Sequence, residues 1–393
     1  MRIVHIITRL IVGGAQENTL LSCEGQHAAG HDVTLITGPS VGPEGSLVER
    51  ANAAGYEVVV EPTLVRALRP VTDWRAVGRL RSLIRERKPD VVHTHSSKAG
   101  ILGRYAAHKE NVPAIVHTIH GLAFTASTSK FVNTGYVHAE RRAARWCHKI
   151  VCVADAMAKQ SLARNIGQPD QYVTVHSGMD VEPFLDPPVP RADVRQQLGL
   201  ADDHVAVGTI ARLFDLKGHE DLIAHAPRLC EQFPNLRFVW IGDGSLRGSF
   251  ERQIAGAELT DRFIFTGLVP PSEIPQLVNA LDIVAHPSRR EGLARALPQG
   301  ALAGCPVVTY DIDGNAEALI EGETGWAVAP FDTSVFADRI VELAGDAPLR
   351  RRMGEAGRAF CRETFSTQAM VDGLEDVYRS LVPTPLPGSA MVS

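Results

Sequence analysis

Short apolar runs alternate with helix-like segments along this chain, and few folds are compatible with such a pattern. The first series has apolar runs at 3–7, 33–37, 57–60, 91–93, 114–118 and 150–154. Helix-like segments separate these runs, for example at 15–29, 74–87 and 99–108. Continuous apolar strands that alternate with helices are typical of a parallel sheet covered on both faces. The first half of the chain is therefore predicted to be a doubly wound α/β domain.

A second series of the same kind follows, with apolar runs at 205–210, 237–242, 262–267, 282–286 and 306–310. Between the two series, the segment 177–190 is rich in proline and lacks periodicity, which is typical of a linker. We therefore predict two Rossmann-like doubly wound domains that face each other across a cleft, because ligands bind beyond the carboxyl ends of such strands. The predicted boundaries are an N-terminal domain at 1–180, a linker at 181–200, a C-terminal domain at 201–366, a helix at 367–382 that packs back on the N-terminal domain, and a disordered tail at 383–393.

The composition argues against several functions. A formal net charge of -5 disfavours general nucleic-acid binding. The six cysteines are scattered without a C-x-x-C pair, so we expect buried free thiols in a reducing cytoplasm. The opening MRIVHIITRL is too short for a signal peptide, and no stretch reaches the roughly 18 apolar residues that span a bilayer. We expect a cytoplasmic protein whose only membrane contact is peripheral, at the inner face.

Positive charge is concentrated between Lys98 and Lys149, where eight Lys or Arg residues accompany two acids, Glu110 and Glu140. Two interpretations stay open for this basic run. It is either a solvated helical face or a surface for anionic lipid headgroups or an anionic acceptor. The four tryptophans show no stacking pattern, and we expect them in the core.

Two fixed cations follow the first strand of the second series. Arg212 and Lys217 lie in the loop after the run at 205–210, and Gly218 opens a helix. The positive end of a helix and two cations suit an anion such as a diphosphate. After the run at 282–286 come Glu291 and, about two turns along the following helix, Gln299, both of which can bind hydroxyl groups. A ligand with a diphosphate at one end and hydroxyl groups at the other is a nucleotide-sugar.

Histidines lie on two neighbouring predicted strands. His93 and His95 share one strand face, and His117 and His120 belong to the next strand. We predict no metal site, because no pattern such as H-E-x-x-H accompanies them. Hydrogen-bonded core residues and ligand-facing residues remain the alternatives, and His120 at a strand end is the best candidate to face a ligand.

Two other polar features have open interpretations. Ser96-Ser97-Lys98 and the loop at 125–130 flank the histidine strands, and they are either ordinary loops or a grip for an acceptor phosphate or hydroxyl. Asp311 and Asp313 are spaced like a metal-binding D-x-D, but the glycine that follows them favours a turn.

In their number and order, several of these segments resemble the retaining glycosyltransferases of family 4, which have the two-domain GT-B fold. The similarity extends through nearly the whole chain. It is carried by GGAQ at 13–16, DVVHTHSSKAGILGR at 90–104, IVHTIHG at 115–121, SGMDVEPF at 177–184, IARLFDLKG at 210–218, IGDGSLR at 241–247 and REGLARALPQGALAGCPVV at 290–308.

The resemblance implies a role for each matching residue. Arg212 and Lys217 would bind the donor diphosphate, while Glu291 would hold the transferred sugar and His120 would face it near the reacting centre. The other donor-binding residues would be Gly13, Gly14, Gly242, Asp243, the backbone of Gly292 and Leu293, and Gln299 at the ribose. The residues implied for acceptor binding are His95, Ser97 and Lys98.

The activity implied by the resemblance is that of a retaining hexosyltransferase. It would move a hexosyl or N-acetylhexosaminyl group from a UDP- or GDP-sugar to an acceptor hydroxyl, in polysaccharide or glycolipid assembly. The leaving diphosphate would help to remove the acceptor proton, and no metal or other cofactor would be required. The expected partners are the nucleotide-sugar donor, a lipid-linked or saccharide acceptor and, peripherally, an anionic membrane.

The sequence departs from the family pattern at one position. The family's E-x7-E motif has its second glutamate where this chain has Gln299, and the loss of a charge-assisted hydrogen bond predicts weaker donor binding. Gln299 also leaves open a non-catalytic sugar-binding pseudoenzyme. A second alternative, independent of this position, is a nucleotide-sugar epimerase or hydrolase on the same fold.

Overall fold

The structure, a computed structural model, describes residues 1–40, 45–122 and 130–382. The predicted tail at 383–393, and all of the polar loop at 125–130 except its last residue, lie outside the described residues. The chain divides into two compact units. Unit 1 comprises Met1–Met179 and the segment from Thr367 onward, and unit 2 comprises Asp180–Ser366.

Unit 1 is built on a parallel sheet in the order β3-β2-β1-β4-β5-β6-β7. Its strands are β1 (Arg2–Ile7), β2 (Asp32–Thr37), β3 (Glu57–Val60), β4 (Val91–His95), β5 (Ala114–Ile119), β6 (Lys149–Cys152) and β7 (Tyr172–Thr174). The connecting helices are α1 (Gly14–Ala28), α2 (Val48–Ala53), α3 (Pro70–Arg87), α4 (Ser97–Lys109), α5 (Lys130–Ala144) and α6 (Asp155–Leu162). The central strand β4 is buried along its whole length and β1 is buried from Ile3 onward, which confirms the predicted doubly wound sheet. The strand order reverses between β1 and β4.

Unit 2 repeats this plan in the order β10-β9-β8-β11-β12-β13, again with parallel strands. Its strands are β8 (Val205–Ile210), β9 (Leu236–Ile241), β10 (Phe263–Gly267), β11 (Ile283–His286), β12 (Val307–Tyr310) and β13 (Gly325–Val328). Its helices are α7 (Glu182–Leu185), α8 (Arg191–Gln197), α9 (His219–Gln232), α10 (Arg247–Gly256), α11 (Ile274–Asn279), α12 (Ala296–Leu302), α13 (Thr333–Gly345) and α14 (Ala347–Thr364). The order reverses between β8 and β11, which makes the loops after these strands the expected ligand-binding position.

The segment 181–200, predicted to be a linker, forms α7 and α8 within unit 2. Proline in the first turn of α7 is compatible with a helix, because the N–H group it lacks would be unpaired there in any case. Arg195 of α8 is buried, and its guanidinium contacts the Asp282 carboxylate at 3.2 Å and the Ala280 carbonyl at 3.0 Å. Long-range pairing of this kind explains why a segment without periodicity is nevertheless ordered.

The last helix, α15 (Thr367–Leu381), belongs to unit 1. Met370, Leu374 and Tyr378 are buried in one hydrophobic cluster with residues of β1 and β4. All six cysteines are buried free thiols, as predicted. Within residues 1–40, 45–122 and 130–382, no helix is both long and apolar enough to cross a membrane.

Candidate active site

In unit 2, the loops that follow β8 and β11 are held against each other. The Arg289 N–H donates to the Leu216 carbonyl at 2.8 Å. Gly218 has a φ of 72°, and a Cβ at this position would lie 2.0 Å from the Pro287 carbonyl oxygen. Only glycine combines this left-handed conformation with so close an approach. Gly218 therefore brings the start of α9 next to the loop after β11, and the first N–H groups of a helix have no acceptor in a preceding turn.

A charged cluster lies where these two loops meet. The Lys217 ammonium is 2.5 Å from Oε1 of Glu291, and Nε2 of His286 is 3.0 Å from the same oxygen. Burial by itself raises the pKa of the Glu291 carboxyl, but the hydrogen bond and electrostatic attraction of His286, together with Lys217, outweigh it and lower this pKa to about 2. Both contacts use Oε1, so Oε2 can still accept hydrogen bonds from a ligand.

The backbone around Glu291 is fixed by the loop after β12. The Glu291 N–H donates to Oδ2 of Asp313 at 2.9 Å, and the Gly314 N–H donates to the Gly292 carbonyl at 2.8 Å. The D-x-D spacing thus belongs to a turn that supports Glu291, with Asp313 itself at a φ of 48°. Sequence reasoning missed His286 and the contact of Asp313. The available signal was that His286 ends β11 and Asp313 follows β12, at the same edge of the sheet.

Arg212 differs from Lys217, although both lie on the loop after β8. Its guanidinium is exposed and stacks 4.9 Å from the Phe214 ring centre, with no hydrogen bond or ion pair to another described residue. The glycine-rich segment after β9 supports this loop. A Cβ at Gly242 would lie 2.2 Å from the Ala211 carbonyl oxygen. The Asp243 carbonyl accepts from the Leu213 N–H, while its carboxylate pairs with Arg247 at 3.2 Å.

Gln299 was expected about two turns into the helix that follows Glu291, and this expectation is wrong by about one turn. The residues between Glu291 and Arg295 form turns, and α12 begins only at Ala296, so Gln299 lies in the first turn of the helix. Its side chain is half-buried, and its amide makes no hydrogen bond to another described residue. Leu293 and Gly292 are also half-buried on the connecting turns. The amide of Gln299 is therefore accessible to a ligand near the start of α12.

In unit 1, the structure contradicts the acceptor-binding role expected of His95. This residue is fully buried, and its ring nitrogens contact Nδ1 of His5 at 2.9 Å and Nε2 of His120 at 3.0 Å. Both faces of β4 are buried, so neither orientation of a side chain on this strand leads to solvent. His120 lines a cavity of about 300 Å3 together with Ser97 and Gly121, which we name the histidine cavity. Burial lowers the pKa of His120 to about 4.

A second cavity of about 350 Å3 in unit 1 is lined by Arg9, Arg66, Ser97 and Lys98, and we name it the basic cavity. Ser97 and Lys98 lie in the first turn of α4, and the Lys98 ammonium pairs with Asp73 at 2.5 Å. Gly14 is the exposed first residue of α1, preceded by Gly13, and the next residues line the two cavities, Ala15 the histidine cavity and Gln16 the basic cavity.

Large apolar side chains are exposed on the segment 68–74, which contributes to the lining of the basic cavity. Leu68, which itself lines this cavity, is 77% exposed, and Val71 and Trp74 are 66% and 79% exposed. The expectation that Trp74 is a core residue is therefore wrong, because it lies on the solvent side of α3. The basic run is not one continuous face either. Arg104 is fully buried and pairs with Glu140 at 2.6 Å.

Known protein families match both units. The model described as Glycosyltransferase Family 4 matches residues 12–183, and the model described as Glycosyl transferases group 1 matches residues 190–360. An Escherichia coli UDP-Gal:alpha-D-GlcNAc-diphosphoundecaprenol alpha-1,3-galactosyltransferase is 28% identical over 387 residues, which is 97% of each chain. A D-inositol 3-phosphate glycosyltransferase of Corynebacterium aurimucosum is 30% identical over 76% of this chain and 73% of its own length.

Solved structures show the same fold. A crystal structure of Anabaena HepE in complex with UDP superposes with a TM-score of 0.82, covering 97% of this chain and 100% of the other. At 20% identity this similarity is one of fold.

Proposed function

The chain belongs to glycosyltransferase family 4 and is a hexosyltransferase of the GT-B fold that uses a nucleotide-sugar donor, and we propose that it transfers the sugar, with retention, to a hydroxyl group of a lipid-linked acceptor. One observation carries the proposal. Where the strand order of unit 2 reverses between β8 and β11, the Lys217 ammonium and Nε2 of His286 both lie within 3.0 Å of Oε1 of Glu291. Arg212, on the same loop as Lys217, forms no ion pair with another described residue.

The cations suit the leaving group of the reaction. A nucleoside diphosphate gains negative charge as the bond to the sugar breaks, so Lys217, Arg212 and the start of α9 stabilise the transition state more than the ground state. A cation about 4 Å from such a charge is worth roughly 4 kcal/mol at an effective dielectric constant of 20, before desolvation. We propose that these groups take the electrostatic role of a divalent metal, so that the reaction requires none.

Glu291 suits sugar binding better than proton transfer. A general base works best when its pKa lies near the operating pH, whereas the pKa of Glu291 is about 2. Its Oε1 is engaged by Lys217 and His286, and Oε2 can accept from sugar hydroxyl groups. We therefore assign removal of the acceptor proton to the departing diphosphate, which gives a same-face displacement and retention of configuration.

The acceptor site is assigned to unit 1. The basic cavity is lined by Arg9, Arg66 and Lys98, the last of which pairs with Asp73. The segment 68–74, which contributes Leu68 and Asp73 to this cavity, also exposes the apolar side chains of Leu68, Val71 and Trp74. A lipid-linked diphosphate has the matching chemistry, an anionic head and an apolar chain. The Escherichia coli relative acts on such an acceptor by its name, alpha-D-GlcNAc-diphosphoundecaprenol. The same apolar residues would hold the protein peripherally at an anionic membrane.

The direct test of function is an acceptor-dependence assay. The full chain is incubated with UDP- and GDP-hexoses and a polyprenyl diphosphate that carries one N-acetylhexosamine, with and without EDTA. We expect sugar on the lipid with retained anomeric configuration, and nucleotide release that depends on acceptor but not on free metal. Nucleotide release at the same rate without acceptor would indicate a hydrolase, interconversion of donor sugars an epimerase, and binding without turnover a pseudoenzyme.

The membrane contact has its own test. Leu68→Ser and Trp74→Ser should each lower binding of the full chain to anionic vesicles by several-fold, because each removes apolar area that would enter the interface. Leu268 of unit 2 is 83% exposed and provides a matched control, since Leu268→Ser removes a similar surface far from the basic cavity in sequence. Equal loss of binding in all three variants would contradict the assignment to unit 1.

A further inference from the structure

A row of buried side chains in unit 1 ends at the histidine cavity. Oε1 of Gln26 is 2.7 Å from Nε2 of His5, and Nδ1 of His5 is 2.9 Å from Nε2 of His95. Nδ1 of His95 is in turn 3.0 Å from Nε2 of His120, which lines the histidine cavity. Gln26, His5 and His95 are all fully buried. The row therefore connects α1 to the end of β5 by three consecutive hydrogen bonds.

The imidazoles in this row are neutral at physiological pH. Burial lowers the pKa of His5 and of His120 to about 4, and it lowers the pKa of His95 well below its ordinary value. A neutral imidazole carries one N–H, so it donates at one nitrogen and accepts at the other. The direction of the first hydrogen bond therefore decides the direction of all the others.

Gln26 sets that direction from the far end. Its Nε2 donates to the Tyr378 hydroxyl at 3.2 Å, which turns the amide oxygen toward His5. The Tyr378 hydroxyl lies 2.6 Å from Nδ1 of His93, and it donates there while it accepts from Gln26. His5 then donates from Nε2, and His95 and His120 do the same in turn. The tautomer of His120 is thus protonated at Nε2 and bare at Nδ1.

The environment of His120 favours the same direction. Its Nδ1 is buried and has no hydrogen-bond partner among the described residues. A buried N–H group without an acceptor is costly and rare, whereas an underused lone pair costs less. Reversal of the row would place an N–H at this position. The bare lone pair is therefore the less costly state of this buried atom.

We propose that Gln26, His5 and His95 are positioning residues that hold His120 as the Nε2-protonated tautomer, so that its Nδ1 accepts a hydrogen bond from a substrate hydroxyl group. The hydrogen bond from a substrate hydroxyl group rests on the proposed transferase function, whereas the tautomer of His120 does not. Hydroxyl groups are selected because they can donate, and a fluorine at the same position cannot. The acceptor nitrogen is thereby a specificity-determining group for a polar sugar or acceptor position.

A metal site is the competing interpretation of the same residues. Ligand nitrogens of His5, His93 and His95 lie within 4.8 Å of one another. Each ring nitrogen of this trio already has a hydrogen-bond partner, since His93 also contacts Thr118 through Nε2 at 2.6 Å. An ion would have to replace several of these bonds inside a fully buried cluster. The hydrogen-bonded row accounts for the residues without that cost.

The test reads the tautomers directly. Long-range proton–nitrogen NMR spectra of the full chain, labelled with 15N-histidine, should show His120 protonated at Nε2 only, with its signals assigned from a His120→Asn variant. Gln26→Met removes the acceptor for His5 and should give mixed tautomers at His120. Gln26→Glu keeps an acceptor toward His5 and should restore the wild-type pattern. Tyr378→Phe is a conservative second variant that frees the amide to rotate, and it should also mix the tautomers.

Activity provides the second measurement. Gln26→Met should lower kcat/KM by about tenfold, as expected for one lost substrate hydrogen bond, and Gln26→Glu should recover most of it. Gln253→Met, in an exposed position of α10, is the matched control. A wild-type His120 protonated at Nδ1, or a Gln26→Met variant with unchanged tautomer and kcat/KM, overturns the proposal. So does zinc that stabilises the wild type but not a His93→Asn variant. If the tautomers are as expected but no sugar is transferred, the proposed function fails and the tautomer assignment stands.

Discussion

The two units place their candidate sites at the same topological position but build them from different electrostatics. In unit 2 the reversal between β8 and β11 carries an ion pair, Lys217 with Glu291, and the guanidinium of Arg212, which forms no ion pair with any residue that the structure describes. In unit 1 the reversal between β1 and β4 carries neutral imidazoles in a hydrogen-bonded row. The fold therefore supplies the location, and the side chains decide whether the location suits a phosphate or a hydroxyl group.

The largest expected difference between the two units is in how much stability each loses when the pH is lowered. The pKa of His5 is about 4 in the folded protein against 6.5 when exposed. Between about pH 6.5 and pH 4 the unfolded chain therefore binds a proton that the folded chain does not. The free energy of unfolding consequently decreases as the pH is lowered through this range. His5 alone accounts for up to about 3 kcal/mol. In unit 2 the pKa of Glu291 is about 2 against 4.5, so its contribution is lost only between about pH 4.5 and pH 2.

Hydrogen exchange followed by mass spectrometry can resolve the units in this experiment. Peptides of β1 and β4 should lose protection at higher pH than those of β8 and β11. Unit 2 also buries His219, whose pKa burial lowers to about 3, so it loses at least as much stability from this one residue as unit 1 loses from His5. Unit 1 should still lose more in total, because burial also lowers the pKa values of His93, His95, His117 and His120. Both units should therefore lose protection as the pH is lowered, but unit 1 should lose more. His5→Gln should reduce this difference between the units. Simultaneous loss of protection in both units would remove the contrast.

Lys217→Ala tests the charged site. The variant should lower kcat by about 100-fold, because a cation that faces the leaving diphosphate contributes mainly in the transition state. Steady-state kinetics with saturating donor measure the effect, and thermal unfolding checks the fold. Lys159→Ala, an exposed lysine on α6, is the control. An unchanged kcat would show that the ion pair with Glu291 is structural and that unit 2 owes its site to other groups.

Asp313 tests how far the charged site depends on backbone support. Asp313→Ala should lower kcat/KM by about tenfold, because the Glu291 N–H loses its acceptor and the carboxylate its fixed position. Asp313→Asn should be nearly neutral, since asparagine keeps an acceptor oxygen and tolerates the left-handed φ of 48°. Equal losses in both variants would mean that the charge of Asp313 matters, instead of its hydrogen bond.

Gln299→Glu should have the smallest effect. A carboxylate at the start of α12 would form a charge-assisted hydrogen bond to a ribose hydroxyl, so the KM for the donor should fall by about threefold. Kinetics at varied donor and fixed acceptor concentration measure this change. A KM that does not move would count against a ribose contact at position 299 and would leave Gln299 as a half-buried residue without a site role.

The strands of both sheets were predictable from sequence, and the reason is local. Each central strand is a continuous apolar run, and Glu57–Val60 and Val205–Ile210 have the predicted bounds. Two edge strands were missed, because β7 has only three residues and β13 begins with a glycine that interrupts its apolar run. Proline at the start of a helix was likewise taken for the mark of a linker.

For the candidate sites, the sequence predicted which loops carry functional residues but not which residues of different loops contact each other. Arg212, Lys217 and Glu291 follow strands, and a strand end is visible in the sequence. The partners of these residues are not, because His286 and Asp313 reach Glu291 through contacts made by the folded sheet. The same holds in unit 1, where His95 of β4 contacts His5 of β1, and His5 contacts Gln26 of α1.

The return of α15 to unit 1 has a consequence for synthesis on the ribosome. Unit 2 is contiguous in sequence, whereas unit 1 needs both ends of the chain. Tyr378, whose hydroxyl holds Gln26, therefore emerges after every residue of unit 2. Although the domains of a nascent chain usually fold in N-to-C order, unit 1 cannot complete its folding until α15 has been synthesised. A nascent chain halted after Ser366 would carry all of unit 2 and a unit 1 that still lacks the group orienting its buried amide.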